Sequence, residues 1–158
     1  MKRKLLLFFA SLLLASILPL ATFADTGADE AALRQTMADI AAAFARGDVD
    51  AVMAYHHPDV EKALAYKKHL VGREAVKADL AGTLRAFRLE FVEHDVESLL
   101  IHGDSVIEMT RFAVRGTPKA PEGKPFLFRG RAMVVYVRYA ASPTGWASIR
   151  EVVQPAAE

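Results

Sequence analysis

The chain has 158 residues, with 20 Lys and Arg against 19 Asp and Glu, a formal net charge of +1 and no cysteine. A chain without cysteine forms no disulfide and offers neither thiolate ligands for zinc nor a thiol nucleophile. A balance this close to neutrality gives no electrostatic footprint for nucleic acid.

Even that small positive excess belongs to the first residues. Lys2, Arg3 and Lys4 precede an apolar run from Leu5 to Leu18, Pro19 breaks it, and Thr22-Phe23-Ala24 supplies small residues ahead of Asp25. This is the order of a secretory signal peptide, so residues 1–24 are expected to be removed. The alternative is an uncleaved anchor, because Leu5 to Ala24 nearly reaches the roughly 20 apolar residues that span a bilayer. Pro19 and the small-residue site favour cleavage. No cysteine follows for lipidation and no twin-Arg pair is present. Without Lys2, Arg3 and Lys4 the basic count falls from 20 to 17 against the same 19 acids, a balance of −2. The expected product is an exported domain over 25–158, periplasmic in a Gram-negative source and otherwise secreted, free of the membrane after cleavage.

From Asp29 to Arg46, Leu33, Met37, Ile40 and Phe44 recur at helical spacing. Thr26 and Asp29 have the separation of a capping box, and Gly47 is a helix stop. Asp48 caps a second short helix, Val49 to Tyr55, which Pro58 ends. Residues 59–71 follow no single period and read as two short strands with a bend. A third helix is expected from Arg73 to Phe87 on the stripe Val76, Leu80, Leu84 and Phe87, slightly weakened by Gly82. The pattern then changes to strands: Arg88 to Ile101, a turn at His102-Gly103-Asp104, and Ser105 to Arg115. A Pro/Gly-rich loop over Gly116 to Lys124 leads into Pro125 to Tyr139, a turn at Ser142 to Gly145, and Trp146 to Val153. Helices followed by a meander of long strands predict an α+β fold.

Four segments in this order resemble the NTF2-like superfamily of cone folds (SnoaL-like and DUF4440-type). They are Ala45-Arg46-Gly47-Asp48-Val49-Asp50-Ala51, Tyr55-His56-His57-Pro58-Asp59, Gly72-Arg73-Glu74-Ala75-Val76, and Phe128-Arg129-Gly130-Arg131 through Tyr139 with Gly145-Trp146 and a closing strand. The resemblance implies three N-terminal helices packed in a strongly curved mixed or antiparallel sheet, a pocket at the wide end, and dimers through the sheet's outer face. Sister proteins are isomerases, dehydratases, cyclases, hydrolases or plain binding cavities, so the fold leaves the function open. Carried onto this chain, the Tyr and Asp of ketosteroid isomerisation fall near Ile40 and Ala63. Both groups are missing there, and Glu61 is two residues away, which argues against that mechanism.

The remaining polar residues each have two readings. His56 and His57 are a general base or single metal ligand, or a solvated helix end. Adjacent side chains diverge, so they do not share one ion, and His69, His94 and His102 have no ligand spacing; no metal and no cofactor are expected. Arg111 and Arg131 bind an anion if their face is concave, or form cross-strand ion pairs on the outer face. Tyr66, Tyr136 and Trp146 line a pocket or fill the core. Arg150 and Glu151 point to opposite faces, so one of them meets the helices or a partner. The expected ligand site is Tyr55, His56, Tyr66, Arg111, Arg131 and Tyr136, holding a small apolar or weakly acidic molecule. His57, Glu61, Tyr66 and Glu108 are the catalytic candidates. A binding module without catalysis comes first, an isomerase, dehydratase or hydrolase second, and an interaction domain using the outer sheet third. Pro125–Tyr139 is apolar on both faces around Met133 to Val137, which suits burial on both sides and predicts a homodimer.

Overall fold

Gly47 and the helices it separates set the first part of the architecture. In the computed structural model, which describes residues 26–65 and 68–156, α1 spans Thr26–Arg46 and α2 spans Val49–Met53. The expected signal peptide lies outside the described residues, as does Tyr66. Gly47 takes φ 71, the left-handed conformation that ends a helix without a Cβ clash. The Asp48 carboxylate accepts from the Ala51 amide at 3.0 Å and caps α2. That helix stops earlier than its sequence suggests, because His56 already pairs with Ser148 as the first residue of a strand.

The remaining elements are β1 (His56–Leu64), β2 (Lys68–Val71), α3 (Arg73–Ala86), β3 (Phe87–His102), β4 (Ser105–Pro118), β5 (Phe126–Arg138) and β6 (Trp146–Pro155). They form one six-stranded sheet in the order β2-β1-β6-β5-β4-β3. Pairing is antiparallel throughout except for β1 with β6, which is parallel. The β1–β6 register slips between His56 and Glu61, where Pro58 has no N–H to give to a ladder. β3 is bulged against β4 between Phe91 and Glu93 and again between Val96 and Ser98, and β6 slips against β5 at Val135/Tyr136. Each irregularity bends its strand, and together they curl the sheet around the helices.

β4 runs into the segment expected to be a loop. Gly116 pairs with both Leu89 and Phe126, so the strand continues to Pro118. A Cβ at Gly116 would stand 2.2 Å from the Phe126 ring, so only glycine lets that aromatic lie across the strand. The main core joins Leu33 of α1 to Val106, Ala132, Val134, Tyr136, Trp146 and Val153 of the sheet. A second cluster joins Met53, Val60 and Val76 beneath α3. At the closed end, Asp29 holds Arg138, whose guanidinium lies 4.1 Å over the buried Trp146 ring.

Candidate functional site

Alternation along the strands sorts polar side chains into two faces. On β4 the inner face carries Val106, Glu108 and Thr110, all buried, while Arg111 and Arg115 point outward. On β5 the inner face carries Gly130, Ala132, Val134 and Tyr136, and Arg129, Arg131 and Met133 point outward. On β6, Glu151 and Val153 face in, and Arg150 and Val152 face out.

Register then places ionisable groups in one inner row. Lys62 of β1 pairs with Glu151 of β6, Glu151 with Val134 of β5, and Val134 with Glu108 of β4. Lys62 Nζ donates to Glu151 Oε2 at 2.5 Å, inside the cone. Glu108 has no such cation. It is 1% exposed, and its Oε2 has no partner. Burial pushes its carboxyl up to about 7; the Tyr136 hydroxyl, which donates to it, pulls the other way, and Glu151 adds repulsion. Burial, with the nearby Glu108 charge, also drives Tyr136 well above the ordinary phenol value. Ser148, buried beside Tyr136 on the next strand, has an unpartnered Oγ.

His56 closes this end. Its Nδ1 lies 2.9 Å from the Val52 carbonyl oxygen. A carbonyl only accepts, so Nδ1 carries the proton and Nε2 keeps its lone pair. Burial, with Lys62 nearby, holds the ring well below its usual value, hence neutral.

These groups surround a divided cavity. The larger chamber, about 550 Å³, is walled by α3, β1, β2 and the far ends of β4 and β5 through residues such as Leu64, Leu70, Val76, Leu80, Val114 and Phe128. The smaller chamber, about 140 Å³, lies between α1 and the sheet and holds Glu108, Thr110, Tyr136 and Ser148. Phe44, His56, Lys62, Phe112 and Glu151 border both. Edge-on aromatic contacts from Phe44 to Phe91 at 5.6 Å and Phe91 to Phe112 at 6.2 Å stiffen the partition.

The expected site residues divide accordingly. His56, Glu108 and Tyr136 come together at the cavity. Arg111 and Arg131 do not, and this corrects the anionic-pocket expectation: odd-numbered positions of β4 and β5 face outward here. Arg111 pairs with Glu93 and Asp95, and Arg131 with Glu97. Glu61 is also on the outer face, bridging His69 and Arg150. Ala63 shares that face opposite Val152, whereas Ile40 does border the smaller chamber. Tyr55 is buried but outside the cavity walls, its hydroxyl donating to Asp39 at 2.7 Å. His57 packs edge-on against Tyr139 at 5.0 Å, beside Asp59. Sequence reasoning missed Lys62 and Ser148; the spacing Val60, Lys62, Leu64 carried the signal, since one strand face repeats every two residues. Among the described residues no cluster of three or more His, Asp or Glu is placed to hold a metal ion.

No curated protein matches the sequence. Solved structures match over most of the chain. A conserved protein from Planctomyces limnophilus superposes with a TM-score of 0.71 at 21% identity, covering 82% of this chain and 99% of its own. An NTF2-like superfamily protein from Salmonella enterica serovar Typhimurium gives 0.70 at 11% identity, covering 84% and 94%. A ketosteroid isomerase-like protein from Erwinia carotovora gives 0.63 at 15%, covering 81% and 96%. Similarity this distant carries the fold, and the curved sheet around α1 and α3 is the fold they share. A family model described as the SnoaL-like domain matches residues 37–141, from within α1 to the turn after β5, and on that match the chain belongs to the SnoaL-like domain family.

Proposed function

We propose that this protein binds a small, largely apolar molecule in its cone and moves a proton on it, as an isomerase or dehydratase does. The observation that carries this reading is Glu108: a carboxyl 1% exposed, bonded by Tyr136, with a free oxygen at the polar end of an apolar cavity. A carboxyl held near 7 exchanges protons at neutral pH. Neutral His56, with Nδ1–H fixed on Val52, offers Nε2 as the complementary base. In this scheme His56 takes a proton from carbon beside a carbonyl. Glu108 donates a hydrogen bond to the carbonyl oxygen, and Tyr136 holds Glu108 in place. The proton returns at a second carbon, or a hydroxyl leaves with a proton from Glu108.

A plain binding pocket needs apolar walls and a few orienting groups. It gives no reason for a buried carboxyl and a neutral histidine on the same chamber, which is why the catalytic reading is preferred. The steroid-isomerase arrangement of a helix tyrosine and a β1 carboxylate is not what supports it, because Ile40 and Ala63 stand at those positions. The test is hydrogen–deuterium exchange at carbons next to the carbonyl in a panel of small cyclic ketones, followed by NMR. Exchange above the protein-free rate, lost in His56→Phe and slowed in Glu108→Gln, whose amide is a weaker donor than the carboxyl, is expected. Exchange equal to the protein-free rate for the whole panel leaves only the binding reading.

A further inference from the structure

The charge content of the cavity restricts what it can hold. Among the described residues bordering the two chambers, the cations are Lys62 and Lys68. Both are engaged by carboxylates of the same walls: Lys62 by Glu151 and Lys68 by Asp79, each at 2.5 Å. Glu108 is a third carboxyl with no cation of its own. Arg111 and Arg131 of the central strands lie outside with acidic partners. An entering anion would therefore meet carboxyl groups at the polar end. It would have to take Lys62 from Glu151 and leave that carboxylate unpaired in a largely apolar space.

The unmet hydrogen-bonding capacity points to a complementary group. Glu108 and Ser148 both line the smaller chamber, and Glu108 Oε2 and Ser148 Oγ are buried without partners. They stand on β4 and β6 with β5 between them and in different rows of the sheet, so Glu108, in the row of Lys62 and Glu151, is the group that sets the polar end. A protonated carboxyl donates, and a buried donor without a partner fits an acceptor oxygen. We infer that the cavity selects an uncharged, mostly apolar molecule that presents an acceptor oxygen to Glu108, and turns away carboxylates built on the same skeleton. This rests on the proposed proton-transfer site but names its ligand class independently of turnover. Binding then requires the proton on Glu108. The groups facing it are Tyr136 from β5, Glu151 from β6, Lys62 and His56 from β1, and His94 from β3. Burial and the nearby Glu151 favour the protonated form, so the site is ready for an acceptor near neutrality and loses its donor in base. An ammonium ligand needs the opposite, an ionised Glu108 beside Glu151.

Four probes with one skeleton separate these cases: tetralin, 2-tetralone, tetralin-2-carboxylate and 2-aminotetralin, titrated calorimetrically into the purified protein. At about pH 6 the ketone should bind at least about tenfold more tightly than the carboxylate and than tetralin, the worth of about 1.4 kcal/mol of hydrogen bonding. Raising the pH to about 8.5 should weaken the ketone severalfold in the wild type. Glu108→Gln, whose amide donates at any pH, should remove that dependence while keeping the ketone. Tighter binding of the carboxylate or the amine, equal binding of all four, or no binding of any overturns the inference. Ketone binding without exchange at its α-carbons overturns the catalytic reading alone.

Discussion

Replacing Glu108 by Gln removes a titration from the core, and the structure gives its sign. Burial raises the Glu108 carboxyl from 4.5 to about 7 in the folded protein. A group raised on folding contributes stability that is fully present below its unfolded value and is lost as pH rises through the folded one. Between about 4.5 and 7 the unfolded chain has already released this proton while the folded protein still holds it. At about 1.4 kcal/mol per pH unit, the wild type loses about 3 kcal/mol across that window and stays at the lower level above it. Gln has the same outline and no proton to lose. The stability difference between Glu108→Gln and wild type should therefore shift by about 3 kcal/mol toward the variant from about pH 4.5 to about pH 8. His56 works in the opposite direction: its depressed value means that stability is lost as pH falls below the ordinary 6.5. Both proteins carry that contribution, so it cancels in the comparison. Urea unfolding at several pH values, with slopes checked for two-state behaviour, measures the difference. A difference constant to within about 0.5 kcal/mol would show that Glu108 does not titrate near neutrality in the folded state, and would sink its role as an acid.

Three further outcomes are expected. Arg131→Met breaks an exposed ion pair with Glu97, so it should change stability by less than about 1 kcal/mol and leave ketone binding untouched; a loss of binding would return Arg131 to the site. The outward face of β3 to β6 exposes Leu100, Ile107, Met133 and Val152, so a homodimer across that face is proposed. Light scattering should report the dimer and Met133→Lys should dissociate it, whereas a wild-type monomer at micromolar concentration refutes the proposal. Export is likewise proposed from the leader, and mass spectrometry of protein from its native envelope should find an N-terminus at or near Asp25; a full-length form held in the membrane counts against it.

Local chemistry decided much that was legible in the sequence. The α+β order, the stop at Gly47, the turn at Gly103 with φ 57, and the alternating strands all follow from backbone preference and from hydrophobic period, which depend on near neighbours. So does the rule that Arg150 and Glu151 part company. What adjacent residues do not encode is which of two alternating faces closes on the helices. That is set by curvature and by the register between strands far apart in the chain. One choice of face sent Arg111, Arg131 and Glu61 outward and turned Lys62, Glu108 and Glu151 inward. The same choice let Phe126 extend β4 over Gly116, where a loop was expected. The site itself belongs wholly to that tertiary level. Lys62, Glu151, Val134 and Glu108 become one row because β6 inserts between β1 and β5, and burial of that row is what turns an ordinary glutamate into a group that holds its proton near neutral pH.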